Sequence, residues 1–490
     1  MTPQLAAIRL DPALPAPLYR QLYDALKQGI LSGALEAGTQ LPPTRDFCQL
    51  LAISRQTVLN AYAQLTAEGY LDGAVGKGTF ISAGLARPLA PDHATKSVAS
   101  SFLPLSPRGA RYADAMGSTR YHERQPRAFM LGMPGVDLFP FDIWGRLEAR
   151  AARRPAHRTG YADPAGYLPL RELLAVYLKA SRGVQCSAND ILITSGSQQG
   201  LYMLASMLLE DGDAAWVENP GYRGAYGPLH ACGARIAPIP LDEHGLSVQH
   251  GAAACPEARL IYVTPSHQMP TGVTMSLQRR LELLSWATTH RAWIIEDDYD
   301  SEYRYTGPPL ASLQSLDRAG CVIYVGTLSK VLFPGLRLGF LVAPPALMAP
   351  LVAAKAVMDR HTAVAPQMVL ADFMAEGHFG RHIKRTRVAY AERRAALLDA
   401  VRDKLAPYVR LGPADAGLDV CVYFTRPYEE LAVARAAAQR GVDVRPLSYY
   451  ASNLVRNDLS AGLVLGFSAT PPEQIRQAVD ILKTVLQEMA

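Results

Sequence analysis

The sequence predicts a multidomain chain, with a small, mainly helical unit in front and a large α/β unit with a mostly parallel sheet behind it. Three observations carry this. Residues 15–82 show helical apolar stripes followed by a glycine-spaced hairpin pattern. Residues 83–125 are rich in Ala, Pro, Ser and Arg without sustained periodicity, which reads as a linker. From Phe129 onward, short apolar strands alternate with helices. The expected domains are therefore 1–82, a linker at 83–125, and 126–490, whose smaller subdomain is placed mainly at about 361–490.

Composition narrows the class. The 490 residues are 49% hydrophobic, ample for large cores. The most apolar long stretch, Val331 to Val357, carries Arg337 and Lys355, so no membrane span is expected. The first residues lack a basic start followed by an apolar segment, so no secretion signal is expected either. Six cysteines are scattered without a C-x-x-C pair, which suits a reducing cytoplasm and argues against a disulfide framework or a zinc site. No metal site is expected. Net charge is +5, yet residues 1–82 hold six basic and six acidic side chains. The basic excess follows in 83–130, with seven Lys/Arg against three Asp/Glu.

Pro17 to Leu31 places apolar residues at 18, 22, 26 and 30 with proline at the entry, a helical stripe. Thr44 is read as the N-cap of a short helix to about Leu51, and Ala52-Ile53 as a tight turn. Ser54 caps a second helix to about Glu68, burying Val58, Ala61, Tyr62 and Leu65. That leaves Arg55, Gln56, Thr57 and Asn60 facing outward, the layout of a helix-turn-helix. Tyr70-Leu71, glycines 73, 76 and 78, and Thr79–Ile81 then read as a small hairpin, a wing beside the recognition helix.

LPPTR, ISRQTVLNAYAQLTAEGYL and GKGTFIS, in this order, resemble the winged helix-turn-helix of the GntR family over nearly all of 15–82. The resemblance implies contacts to double-stranded operator DNA from Arg45, Arg55, Thr57, Lys77 and Gly78. The chemistry agrees, because guanidinium groups read guanine edges or clamp phosphate and glycine admits a close backbone N–H. Arg45 and Arg55 also read as solvated charges at helix ends, and the linker arginines as a solvated tether, a contact to DNA or a contact to the second domain.

In the large unit, Ile191–Thr194 is a strand running into Ser195-Gly-Ser-Gln-Gln-Gly200 and an apolar helix. Strand, small-residue turn and helix offer backbone N–H groups and a helix dipole to an anion, although many βα turns share these residues. Ala215–Tyr222, Leu260–Val263 and Trp293–Glu296 are further strands, each delivering polar or aromatic groups at its C-terminal end, where parallel sheets bind ligands. Cys321–Val325 is apolar on both faces and reads as buried, ending in Gly326-Thr-Leu-Ser-Lys330, and a second apolar run spans Leu338–Val342. On this window alone Lys330 reads equally as a surface loop residue or as an amine bonded to a carbonyl, which apolar surroundings would favour.

A pyridoxal phosphate site needs phosphate donors, a ring stack, a carboxylate for the ring nitrogen and a lysine for the aldehyde. Lys330 is the Schiff-base candidate and Asp297 the partner of the ring nitrogen. Tyr299 reaches the ring hydroxyl, and Tyr222 stacks. Gly196, Ser197, Gln198, Thr327 and Arg337 take the phosphate. The motifs SGSQQG, NPGY, EDDYD and TLSK…PGLRLG resemble the fold type I aminotransferases over roughly 125–490, and the whole chain resembles the MocR/GabR subfamily of GntR regulators. The resemblance implies a pyridoxal 5'-phosphate cofactor, a small amine or amino-acid effector (or the cofactor itself as signal) and a head-to-tail homodimer. It implies a domain used for sensing, with weak or no transaminase turnover; a working aminotransferase with an accessory DNA module is the alternative.

Two departures bear on turnover. Met269-Pro-Thr-Gly272 stands where those enzymes carry Asn-Pro-Thr-Gly, so one hydrogen bond near the ring hydroxyl is missing unless His267 or Gln268 supplies it. Leu463–Phe467 lacks the arginine expected for a substrate carboxylate; Arg445 is the substitute, or a surface arginine after a strand.

Overall fold

The computed structural model describes residues 5, 7–74, 78–84, 105–115, 127–154, 160–308, 310–452 and 460–489. The chain divides into two compact units, Met1–Pro104 and Leu105–Ala490.

In the first unit, α1 (Leu18–Leu31) buries Leu22, Tyr23, Leu26 and Ile30. It packs on α3 (Arg55–Ala67), whose buried face is the expected Val58, Ala61, Tyr62 and Leu65. Phe47 from α2 (Thr44–Leu50) fills the space beside them and is fully buried. The α2–α3 turn is tight because Ala52 takes a left-handed φ of 52°. Ser54 caps α3 by accepting from Thr57 N at 3.1 Å. Thr44 does not cap α2: the cap position is Pro43, and Thr44 Oγ1 instead accepts from Arg55 Nε at 3.3 Å. The hairpin forms as β2 (Leu71–Ala74) antiparallel to β3 (Gly78–Ile81). A two-residue β1 (Gln40–Leu41) adds to β3, a strand too short for any periodicity to announce.

In the second unit, part of the stretch read as linker is a helix, α4 (Pro107–Ala115). It packs on α8 (Arg223–Ala231), and Tyr112 meets Tyr202 edge-on with ring centroids 5.5 Å apart. Its sequence is short and arginine-rich, with no long apolar stripe to reveal it.

The remaining N-terminal elements are α5 (Phe141–Ala152), α6 (Leu168–Arg182), β4 (Ile191–Thr194), α7 (Ser197–Leu208) and β5 (Ala214–Asn219). After α8 come β6 (Arg235–Asp242), β7 (Gly245–Leu246), α9 (Val248–Ala254), β8 (Leu260–Val263), α10 (Leu277–His290) and β9 (Trp293–Asp298). β10 (Val322–Thr327) and β11 (Gly339–Val342) complete an eight-stranded sheet of order β4-β11-β10-β9-β8-β5-β6-β7. Its centre is parallel, from β10 through β9, β8 and β5 to β6, while β11 runs antiparallel to both neighbours. Strands β4, β5 and β8 are buried along their whole length, as continuous apolar runs require when helices cover both faces. Because β11 is reversed twice over, β4, β5, β8, β9 and β10 all end on one edge.

Helices α11 (Pro345–Met358), α12 (Val364–Ala375) and α13 (His378–Lys404) lead to a second sheet of four antiparallel strands. These are β12 (Val409–Leu411), β13 (Asp419–Phe424), β14 (Arg445–Pro446) and β15 (Gly462–Gly466), in the order β12-β13-β15-β14. α14 (Glu430–Gln439) and α15 (Pro472–Glu488) pack against each other, and α15 also lies on α13. Residues 127–132 cross to this sheet: Phe129 bridges Gly466 and Ala128 bridges Val442. Among the described residues, no helix is long and apolar enough to cross a membrane.

Candidate functional site

β10 delivers Lys330 three residues past its end. The Lys330 ammonium donates to Gly132 O at 2.7 Å. Burial holds its pKa below the ordinary lysine value, outweighing the carboxylates of Asp419, Asp300 and Asp297. Gly132 has φ 71°, and a Cβ there would lie 2.5 Å from Lys330 Nζ. Neither Gly132 nor Asp419 was anticipated. The only local signal for Gly132 was a glycine ahead of α5, and Asp419 sits on the second sheet with no motif around it.

Asp297 is the penultimate residue of β9, pairing with Val325 of β10. Its Oδ2 accepts from Tyr262 O–H at 2.6 Å, and its Oδ1 is buried with no hydrogen-bond partner. Burial first, then the neighbouring carboxylates Asp298 and Asp300, push its pKa up to about 7. A buried acceptor left open is costly, so it points to a donor from outside the chain. The protonated ring nitrogen of pyridoxal phosphate is a donor of this kind, and its positive charge would keep the carboxylate ionised. The residues present fit that group.

Tyr299 O–H lies 3.0 Å from His267 Nδ1 and 3.7 Å from the Met269 sulfur. His267 Nδ1 is also 3.1 Å from Asp300 Oδ2. Burial opposes the charged imidazole, yet the Asp300 carboxylate wins and holds its pKa above the ordinary value. Of the two candidates to make up for Met269, Gln268 is occupied, since its Nε2 donates to Pro220 O at 2.9 Å and to Met269 O at 2.7 Å. His267 is the one that reaches Tyr299.

The anion cup follows β4. Gly196 is the N-cap of α7 with φ 101°, and no side chain caps this helix. The first backbone N–H groups of α7, at Ser197 and Gln198, are thus presented without a competing side-chain acceptor. Arg337, itself left-handed at φ 50°, donates from Nη2 to Ser195 O at 2.9 Å. A Cβ on Gly196 would fall 3.0 Å from that same nitrogen, a tight contact at a φ that itself favours glycine. The Gln198 side chain is committed elsewhere, donating to Gly224 O at 2.9 Å, which leaves its backbone N–H for the anion. Thr327 Oγ1 accepts from Ser329 N at 3.3 Å, and the Tyr222 ring stacks on Tyr262 with centroids 6.5 Å apart.

Arg445 lies on β14, half-buried, with its guanidinium 4.7 Å from the Tyr449 ring centroid. Arg223 stands 5.2 Å from the same ring. No arginine occurs in β15.

In the first unit, Arg45 and Arg55 are exposed in the opening turns of α2 and α3. The Thr57 hydroxyl is 2.8 Å from Ser54 Oγ. Gly78 has φ 102°, where a Cβ would lie 2.6 Å from Gln40 Nε2. Lys77 lies outside the described residues.

Comparison with known proteins agrees with both halves. Residues 139–482 match the family aminotransferase class I and II, and residues 18–81 match bacterial regulatory proteins, gntR family. The chain is 39% identical to the probable rhizopine catabolism regulatory protein MocR of Rhizobium meliloti, over 97% of this chain and 95% of that protein. It is 30% identical to the HTH-type pyridoxine biosynthesis transcriptional regulator PdxR of Corynebacterium glutamicum, over 96% of each. Among solved structures it is similar to the kynurenine aminotransferase of Pyrococcus horikoshii, with a TM-score of 0.68 and 28% identity over 74% of this chain and 92% of that one. The chain belongs to the MocR-type gntR-family regulators, in which a winged helix-turn-helix is joined to a fold type I aminotransferase class I and II domain.

Proposed function

We propose that this protein is a pyridoxal-phosphate-dependent, DNA-binding transcriptional regulator whose aminotransferase-like domain senses a small amine or amino acid. The observation that carries the reading is the single sheet edge that holds Lys330, the open Asp297 Oδ1 and the uncapped start of α7 together. Lys330 would hold the cofactor covalently through Nζ and Asp297 would pair with its ring nitrogen. Tyr299 would reach the ring hydroxyl and Tyr222 would stack. Gly196, Ser197, Gln198, Thr327 and Arg337 would take the phosphate. When bound, the cofactor supplies a carbonyl that captures primary amines and a ring that withdraws electrons.

Lys330 is suited to giving way to an effector. Its ammonium has the Gly132 carbonyl as acceptor and, as acidic neighbours, Asp297 and Asp300 at the end of β9 and Asp419 on the second sheet. An amine that takes its place changes contacts on both sheets, and unequal affinity for two arrangements is what biases a regulator. Arg445 is the candidate for an effector carboxylate. Arg45, Arg55, Thr57, Lys77 and Gly78 would contact operator DNA, the working form would be a head-to-tail homodimer, and the compartment the cytoplasm. Met269 and the missing arginine in β15 favour sensing over turnover.

The test is purified full-length protein with added pyridoxal phosphate. A visible absorption band and a borohydride-trapped mass on Lys330, with effector-dependent operator binding and no sustained keto-acid formation, support the regulator. Sustained turnover with amino donors supports the aminotransferase reading, and protein that stays colourless rejects both.

A further inference from the structure

Behind the anion cup lies a line of polar groups that no motif announced. Lys355, in the last turn of α11, has a side chain with no exposed surface. Burial lowers its pKa, and its Nζ is 2.5 Å from Asp359 Oδ1. The other oxygen, Asp359 Oδ2, accepts from Gln199 Nε2 at 2.6 Å. Gln199 Oε1 in turn accepts from Ser195 N at 2.8 Å, and Ser195 O accepts from Arg337 Nη2 at 2.9 Å.

Each end of this line fixes its polarity. A backbone N–H and an ammonium donate, and a carboxylate accepts, so only one orientation of the Gln199 amide satisfies all of them. Gln199 is the third residue of α7, the position from which Glu or Gln reaches back to a backbone N–H at a helix start. Here it reaches past the N-cap to Ser195. It satisfies an amide that a bound anion does not need, while the N–H groups of the first turn stay free.

We propose that Lys355, Asp359 and Gln199 are positioning residues that hold the Ser195–Ser197 turn in the shape that receives the cofactor's phosphate. A buried lysine is expensive unless paired, and the pairing here ends at the one turn where backbone direction decides anion affinity. Three residues remote from the cofactor ring thus act on the phosphate through Ser195 and Arg337. The inference rests on the pyridoxal phosphate reading above.

The experiment titrates full-length protein with pyridoxal phosphate and, separately, with phosphate-free pyridoxal. Gln199→Glu sets two carboxylates against each other, and Asp359→Asn sets two amide donors against each other. Each is expected to weaken pyridoxal phosphate by about tenfold, the scale of one lost charge-assisted hydrogen bond, and to leave pyridoxal unchanged. The double variant Gln199→Glu with Asp359→Asn restores donor against acceptor at every link and is expected to recover most of the loss. Equal weakening of both vitamers, an unchanged single variant, or a double variant no better than the singles overturns the relay. Should Asp359→Asn not fold, Gln199→Glu alone still decides by the ratio of the two vitamers. Failure of the wild type to bind either vitamer rejects the cofactor reading instead.

Discussion

The arginines proposed to meet DNA and the carboxylates gathered around Lys330 live under opposite physical conditions. Arg45 and Arg55 stand in solvent at helix starts, and their charges need no partner to be tolerated. Asp297, Asp300 and Asp419 are at most 5% exposed, and each must be balanced by something. Burial lifts Asp297 to about 7 and Asp419 to about 6, so their ionisation depends on what lies next to them. An exposed site is therefore specified by which side chains it presents. A buried one is specified also by what it leaves unsatisfied, and Asp297 Oδ1 is a buried acceptor of this kind.

The sharpest way to break that contrast is Lys330→Ala. It is expected to abolish covalent cofactor attachment, read as loss of the borohydride-trapped mass, while the isolated affinity of the first unit for operator DNA is unchanged. Loss of DNA binding along with the adduct would show that the two conditions are not independent.

Asp297→Asn comes next. Losing a charge-assisted contact of about 1.5–3 kcal/mol is expected to weaken cofactor binding by roughly 10–100-fold. It has a pH consequence as well. A carboxyl whose folded pKa is raised binds more protons folded than unfolded between its ordinary value and about 7. Cofactor-free protein should thus lose stability as pH rises from about 4 to 7, and Asp297→Asn should flatten that slope in melting scans. Glu218, Glu296 and Glu302, also lifted to about 7 by burial, and Asp419, lifted to about 6, contribute to the residual slope in the same direction.

On the exposed side the effects are smaller. Arg55→Ala is expected to cost about 1–3 kcal/mol in operator binding, measured at fixed salt, with no effect on the cofactor's absorption. Ser54→Ala removes the α3 cap and should lower the stability of the first unit by about 1 kcal/mol, the least of the set. If Ser54→Ala weakened DNA binding as much as Arg55→Ala, the placement of α3 rather than its guanidinium would be the larger determinant.

Legibility in the sequence followed the same division. The stripes of α1 and α3 and the Ser54 cap were readable because each depends on neighbours a few residues apart. β4, β8 and β10 were readable because burial on both faces leaves continuous apolar runs. Lys330 and Asp297 stood out through the motifs at their strand ends. The relay through Gln199, Asp359 and Lys355 was not, since the link that joins its two local pairs, Gln199 to Asp359, spans 160 residues. Thr44 misled for a related reason: its hydroxyl is used by Arg55, a partner eleven positions away, rather than by its own helix. Pro107–Ala115 was hidden because a short helix that rests on a neighbour through Tyr112 needs only one or two apolar contacts.

The left-handed glycine beside the lysine has a genetic corollary. At φ 71° any side chain at position 132 strains the backbone, and its Cβ would lie 2.5 Å from Lys330 Nζ, so a replacement there also displaces the tip of the lysine. A screen for regulators that no longer hear their signal should collect alleles at two sites 198 codons apart that report a single defect.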